Sequence, residues 1–407
     1  MYWRSSRVLP AVGARVLMLS WEYPPIVEGG LARHVRKLSE QLVRTGLEVH
    51  VLTRGGGRLA EEEDRHGVTV HRVREPEYPR GDLDAFIRWV ARMNRDLEAA
   101  GVEVAERLGA DIVHSHDWLA TGAAERLARC YDVPWLVTVH ATEHGRHQGW
   151  VKKWPQSHIH GVERRMVRRA DAVIACSHFM RGHVADVFGV GASRVTVIPN
   201  GIDPTDLQPV PDLPRLRARF AAPDERLILL IGRLVYEKGF HLALDALPRV
   251  IERVGKVRFL VAGSGTAEAE LKAQAERLGL SRHGTFIGWI GDDVLHSLYR
   301  ISDVCVVPSL YEPFGLVALE AMASGCPCIV ADTGGLREVV PGGERVGLRF
   351  RAKDSRSLAR MVERVLTDER LRVRLIAEAQ EHVLAFDWED VARQTAAVYS
   401  GLRRATV

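Results

Sequence analysis

Short, almost wholly apolar runs alternate with longer amphipathic stretches from Arg15 nearly to the end of the chain. "RVLMLS" (15–20), "EVHVLT" (48–53), "DIVHSH" (111–116), "WLVTVH" (135–140), "AVIAC" (172–176) and "RVTVIP" (194–199) have the length of strands and little polar face. A strand that is apolar on both sides needs cover on both sides. Intervening helices supply that cover, so the pattern predicts a parallel sheet clothed on both faces. "LARHVRKLSEQLVRTG" (31–46) has helical spacing, with Leu31, Val35, Leu38 and Leu42 on one stripe and Gly46 as a stop.

Near "NGIDPTDLQPVPDLPRL" the alternation halts, because Pro204, Pro209, Pro211 and Pro214 make a linker of that stretch. It restarts with "RLILLIG", "VRFLVAG", "GTFIGW", "DVCVVPS" and "PCIVAD", which read as a second parallel sheet with helices at 239–253 and 266–278. A chain of 407 residues is long for one core. The expected architecture is α/β, with two tandem doubly wound, Rossmann-like domains and a cleft between them. The expected division is an N-terminal extension (1–14), a first domain (15–206), a second domain (207–384) and a C-terminal helix (385–407).

The net charge of +4 comes without a basic tail, so nothing points to nucleic acid. The five cysteines include no C-x-x-C pair, and Cys176, Cys305 and Cys328 sit in or beside apolar runs as buried thiols would. "MYWRSSRVLPAVGAR" is a poor signal peptide and no apolar run approaches 18 residues, which leads to the expectation of a cytoplasmic protein.

Ligands of doubly wound sheets bind at the carboxyl ends of strands, and four glycine-bearing turns fall there. The first is "SWEYPPIVEGGL", with Gly29 and Gly30. The second, "GRLVYEKG", puts Arg233 and Lys238 around a strand-to-helix turn, where a guanidinium and an ammonium suit a diphosphate. The third, "AGSGTAEAELKA", offers backbone N–H groups at Gly263, Ser264 and Gly265 before a helix. In the fourth, "SLYEPFGLVALEAMASG", Glu312 precedes a helix running from about Leu316 to Ala323 and Glu320 lies inside it. Glu320 has apolar neighbours, so its carboxylate needs a polar partner, a role ribose hydroxyls would fill. "DLD" at 82–84 imitates a metal-binding D-x-D but precedes a helix, where capping explains it.

These motifs, with "HSHDW", "TVHATE", "ADAVIACS", "IPNGID" and the terminal "DWEDVARQTAAVYSGL", resemble glycosyltransferase family 4 over nearly the whole chain. The resemblance implies the GT-B fold, a retaining reaction and no metal or other cofactor beyond the substrate nucleotide-sugar. It places Gly29, Gly30, Arg233, Lys238, Gly263 and Gly265 at the donor diphosphate. Glu320 would hold the ribose, and Glu312 with the backbone of Phe314, Gly315 and Leu316 would face the sugar. His140 would stand near the anomeric carbon and 6-hydroxyl, and Asp117 would line the same cleft. Trp388, Val391, Thr395 and Tyr399 mark a helix like the family's terminal one, which packs back on the first domain.

The long opening motif is also similar to actinobacterial-type α-glucan transferases and bacterial glycogen synthases, although Glu28 stands where the latter carry a donor-contacting lysine. The favoured reaction is glucose transfer from ADP- or UDP-glucose to an α-1,4-glucan, with Trp118, Trp150 and Trp154 as candidate stacking surfaces for the acceptor. The alternatives are mannosyl or glucosyl transfer to a lipid or small molecule and a non-catalytic sugar-nucleotide-binding module. The lipid reading rests on the basic helix "VERRMVRRAD" (162–171).

Overall fold

The computed structural model describes residues 13–74, 79 and 81–405. Residues 1–12 of the expected N-terminal extension lie outside that set. The chain forms two compact units, one running through Gly201 and resuming at Trp388, the other comprising Ile202–Asp387.

The first unit is built on an eight-stranded sheet. Its strands are β1 (Arg15–Leu19), β2 (Glu48–Arg54), β3 (Glu62–Arg65), β4 (Val68–Val73), β5 (Ile112–His116), β6 (Trp135–Val139), β7 (Ala172–Ala175) and β8 (Val195–Val197), in the order β3-β4-β2-β1-β5-β6-β7-β8. All pairings are parallel except β3 with β4, a departure from the all-parallel expectation. The β3 segment, Glu62 to Arg65, is charged and reads as loop in sequence. It forms because His66 and Gly67, both at positive φ, close a hairpin that lays it against β4.

The helix Gly30–Arg44 buries Val35, Leu38 and Leu42 as its stripe predicts. It shares one apolar cluster with Trp388, Val391 and Tyr399 of the last helix, Trp388–Ala405. Asp82 caps the helix Leu83–Leu108, its carboxylate accepting from the Ala85 N–H at 2.9 Å.

The second unit carries β9 (Arg226–Ile231), β10 (Val257–Ala262), β11 (Gly284–Gly288), β12 (Val304–Val307), β13 (Cys328–Ala331) and β14 (Leu348–Phe350), in the order β11-β10-β9-β12-β13-β14. Each sheet reverses its winding direction at one place, between β1 and β5 in the first unit and between β9 and β12 in the second. Turns singled out in the sequence follow these four strands, at the crevices where open α/β sheets bind ligands.

Candidate active site

In the first unit the site is built at the ends of β1, β5 and β6. Glu22, buried in the turn after β1, accepts from the N–H of Glu28 at 2.5 Å and of Gly29 at 3.2 Å. Burial pushes its carboxyl up to about 7, against those two N–H groups. Gly29 is extended (φ −173), and a Cβ there would meet no atom within 4 Å. This unit therefore supplies no steric reason for glycine at that position. Glu28 is bound at 2.6 Å to Arg54, whose guanidinium lies over the Trp21 and Trp89 rings at 4.8 and 5.5 Å.

His140 follows β6 and Asp117 follows β5. Asp117 holds a left-handed backbone (φ 56) and accepts from the His140 N–H at 2.7 Å. Its side chain caps no helix; it fixes the backbone of His140. The His140 Nε2 is 3.0 Å from His116 Nδ1, and its ring packs against His34 with centroids 4.5 Å apart. Burial, aided by nearby Arg146, pulls His140 down to about 3, so the imidazole is neutral at pH 7. Burial also holds His34, His114 and His116 well below the usual imidazole range.

The nitrogens of His34, His116 and His140 lie within 4.8 Å of one another, a donor set of metal-competent chemistry. His114 is engaged through one nitrogen with the Tyr399 hydroxyl at 2.7 Å and through the other with Thr138 at 2.8 Å. Sequence reasoning assigned no role to His34, which stands four residues into a helix, one turn from the glycines.

The second unit gathers the other predicted residues. Lys238 Nζ donates to Glu312 Oε2 at 2.8 Å, and the Ser309 hydroxyl donates to the same oxygen at 3.0 Å. Glu320, buried in the helix Leu316–Ala323, accepts from the Tyr299 hydroxyl at 2.9 Å. The polar partner that this carboxylate required is thus supplied in part by the protein. Tyr299 lies on the helix Asp292–Ile301, 21 residues away in sequence, and no local motif announces it. Arg233 is 55% exposed along its side chain, with Glu237 as an ion-pair partner at 3.8 Å.

The glycines of the third turn have a structural cause. A Cβ on Gly263 would stand 1.9 Å from the Gly232 carbonyl, and one on Gly265 would stand 2.3 Å from the Leu234 carbonyl. The two turns pack backbone to backbone. Trp289 follows β11 at the same sheet edge and is 72% exposed, a feature that reading it as a strand end had missed. Phe314 is buried against Phe386, and Gly315 (φ 120) opens the helix that begins at Leu316. Trp118 is buried beside Phe86 and offers no stacking surface, contrary to expectation.

Two parallel sheets, each with charged turns at its switch point, describe the GT-B class of fold. Residues 28–206 match the model for Glycosyltransferase Family 4, and residues 214–382 match Glycosyl transferases group 1. The chain is 38% identical to glycogen synthase of Mycobacterium tuberculosis, covering 96% of this chain and 95% of the relative. It is 30% identical to the D-inositol 3-phosphate glycosyltransferase of Kineococcus radiotolerans, covering 95% and 94%. The solved sucrose-phosphate synthase of Thermosynechococcus elongatus superposes with a TM-score of 0.81 at 26% identity, over 96% of this chain and all of that one. The chain belongs to the family 4 glycosyltransferases and is an enzyme of that class. Among the described residues no helix is long and apolar enough to cross a membrane.

Proposed function

We propose that this enzyme transfers glucose, with retention, from ADP- or UDP-glucose to the growing end of an α-1,4-glucan. The observation that carries the reading is the Lys238–Glu312 pair with its Ser309 support at the β9/β12 switch point, in a homologue of a mycobacterial glycogen synthase.

Lys238 and Arg233 neutralise the diphosphate as the bond from the anomeric carbon to its oxygen breaks. The acceptor hydroxyl forms its bond to that carbon from the same face, and its proton passes to the departing phosphate oxygen. Glu312 and the backbone of Phe314, Gly315 and Leu316 position the sugar, while Glu320 and the turn at Gly263 and Gly265 hold the nucleoside and phosphates. For the first unit's turn at Gly29 and Gly30, the family resemblance implies contact with the donor diphosphate. Neutral His140, held by Asp117, meets the sugar without placing a second positive charge on an oxocarbenium-like centre. The two cations do the work that a metal would otherwise do, so the reaction needs neither metal nor added cofactor.

The testing experiment measures nucleotide release from ADP-, UDP- and GDP-sugars, with and without glycogen, in buffer containing EDTA. Glycogen-dependent release from a glucose donor, lost in Glu312→Ala and undiminished by EDTA, supports the proposal. Release indifferent to glycogen overturns the acceptor, and inhibition by EDTA overturns metal independence.

The inositol-phosphate relative favours a second reading, transfer to a small polar acceptor. The lipid reading loses ground because Ile159, Met166 and Val167 of the helix Gln156–Arg169 are buried within the first unit, which leaves Val162 as its one partly exposed apolar side chain. Arg165 and Arg169 of that helix also pair with Glu125.

A further inference from the structure

The loop that leaves His140 ends in "GWVKKWPQ", and it holds two large aromatic side chains out in water. Trp150 is 82% exposed and Trp154 is 54% exposed. Solvent exposure of one tryptophan is unremarked on most surfaces; two within five residues of an ordered turn require a reason. The turn is ordered by its own backbone. The Gly149 N–H donates to the His144 carbonyl at 2.8 Å, the Trp150 N–H to the His147 carbonyl at 2.9 Å, and the Val151 N–H to the Gly149 carbonyl at 3.0 Å. Gln148 and Gly149 both take positive φ to make the bend. Trp154 is fixed at its edge, its indole N–H donating to the Asp84 carboxylate, and its ring meets His158 at 5.0 Å.

We infer that Trp150 and Trp154 form a platform for the α-glucan acceptor, on the reading that the acceptor is a glucan. A pyranose ring presents a flat C–H face with hydroxyls at its rim. It therefore needs an aromatic plane edged by hydrogen-bonding groups, and here Asp84 and His158 meet the Trp154 indole while Lys152 and Lys153 stand between the two tryptophans in sequence. A membrane surface fits less well. The Asp84 carboxylate sits at the Trp154 edge, and the neighbouring helix buries Ile159, Met166 and Val167, so the apolar surface offered to a bilayer is small and carries an acid within it.

The test is electrophoresis of the full chain through native gels with and without glycogen, which reads binding without turnover. Trp150→Ala and Trp154→Ala are each expected to lower glycogen affinity about three- to tenfold, and the Phe substitutions to retain most of it. In kinetics the Ala variants raise KM for glycogen more than for maltotetraose, because a short acceptor leaves part of the platform uncovered. Unchanged thermal melting shows that the fold survives. Wild-type retardation that persists in the double Ala variant overturns the platform, as does binding to anionic phosphatidylglycerol vesicles with no retardation by glycogen. Failure of the glucan reading itself shows separately, as nucleotide release that ignores every glucan in an enzyme whose retardation by glycogen still depends on both tryptophans.

Discussion

The Glu22 carboxylate and the Gly29 N–H lie 3.2 Å apart, with the Glu28 N–H on the same oxygen at 2.5 Å. The glycine turn is therefore braced from inside by a buried acid. The Gly29 N–H is thereby committed to Glu22, so a donor phosphate at this helix start would meet the N–H groups of the first turn beginning with Gly30.

Glu22 carries a pH signature. Its carboxyl is raised to about 7, so folding favours the protonated form and the group's contribution is complete below about pH 4.5. That contribution is lost as pH rises through about 7, and the shift corresponds to about 3 kcal/mol. Glu22→Gln keeps an acceptor for both N–H groups and removes the titration. Denaturant unfolding at pH 4.5 and 7.5 should show the variant losing about 3 kcal/mol less than wild type across that interval. Identical losses would mean that Glu22 does not titrate there.

Lys238 and Glu312 are expected to fail together. Lys238→Ala removes the cation proposed for the leaving group and also strips the buried Glu312 carboxylate of its charged partner at 2.8 Å. It should lower kcat/KM by roughly 10²–10³ and depress Tm. Glu312→Gln keeps an acceptor for Lys238 and Ser309, so it should lose activity with little loss of Tm. Calorimetry beside initial rates separates the two effects, and an active Lys238→Ala variant would remove Lys238 from the mechanism.

Tyr299→Phe takes from Glu320 the hydroxyl that donates to it at 2.9 Å. It should cost about 1–3 kcal/mol of stability. It should also raise the donor KM several-fold while leaving the acceptor KM in place, because Glu320 is proposed to hold the ribose. A shift confined to the acceptor KM would contradict that role.

What could be read in the sequence was whatever is encoded locally. Apolar runs located eleven of the fourteen described strands, all but β3, β4 and β14, because burial on both faces leaves few polar positions in β1, β6 or β12. Glu312 and Glu320 fall, as the sequence predicts, before and inside the helix Leu316–Ala323. The β3–β4 hairpin escaped because its edge strand is held by charge: Arg72 meets Glu63 at 2.6 Å, and Arg107 meets Glu62 at 2.8 Å from another helix. Tyr299, Ser309 and His34 escaped because their significance lies in what the fold sets beside them. Gly263 and Gly265 were visible as glycines, but the backbone-to-backbone packing that demands them was not.

Asp117 and His140 give the last test. Asp117 stands at φ 56 and ψ −176, a strained pairing for any residue with a Cβ, and its carboxylate holds the His140 N–H. Asp117→Asn preserves the acceptor and should fold normally, whereas Asp117→Ala leaves the His140 N–H without it and should be destabilised by about 2 kcal/mol. His140, pulled to about 3 by burial and then by Arg146, stays neutral throughout the range in which an ordinary histidine titrates. The profile of kcat/KM should therefore show no inflection from this residue between pH 5 and 8. His140→Ala should lower the rate about 10²-fold at every pH in that range, without changing the shape of the curve. An acid limb near pH 6.5 that disappears in His140→Ala would show the imidazole to be charged in the working enzyme, and the neutral role assigned to it would fall.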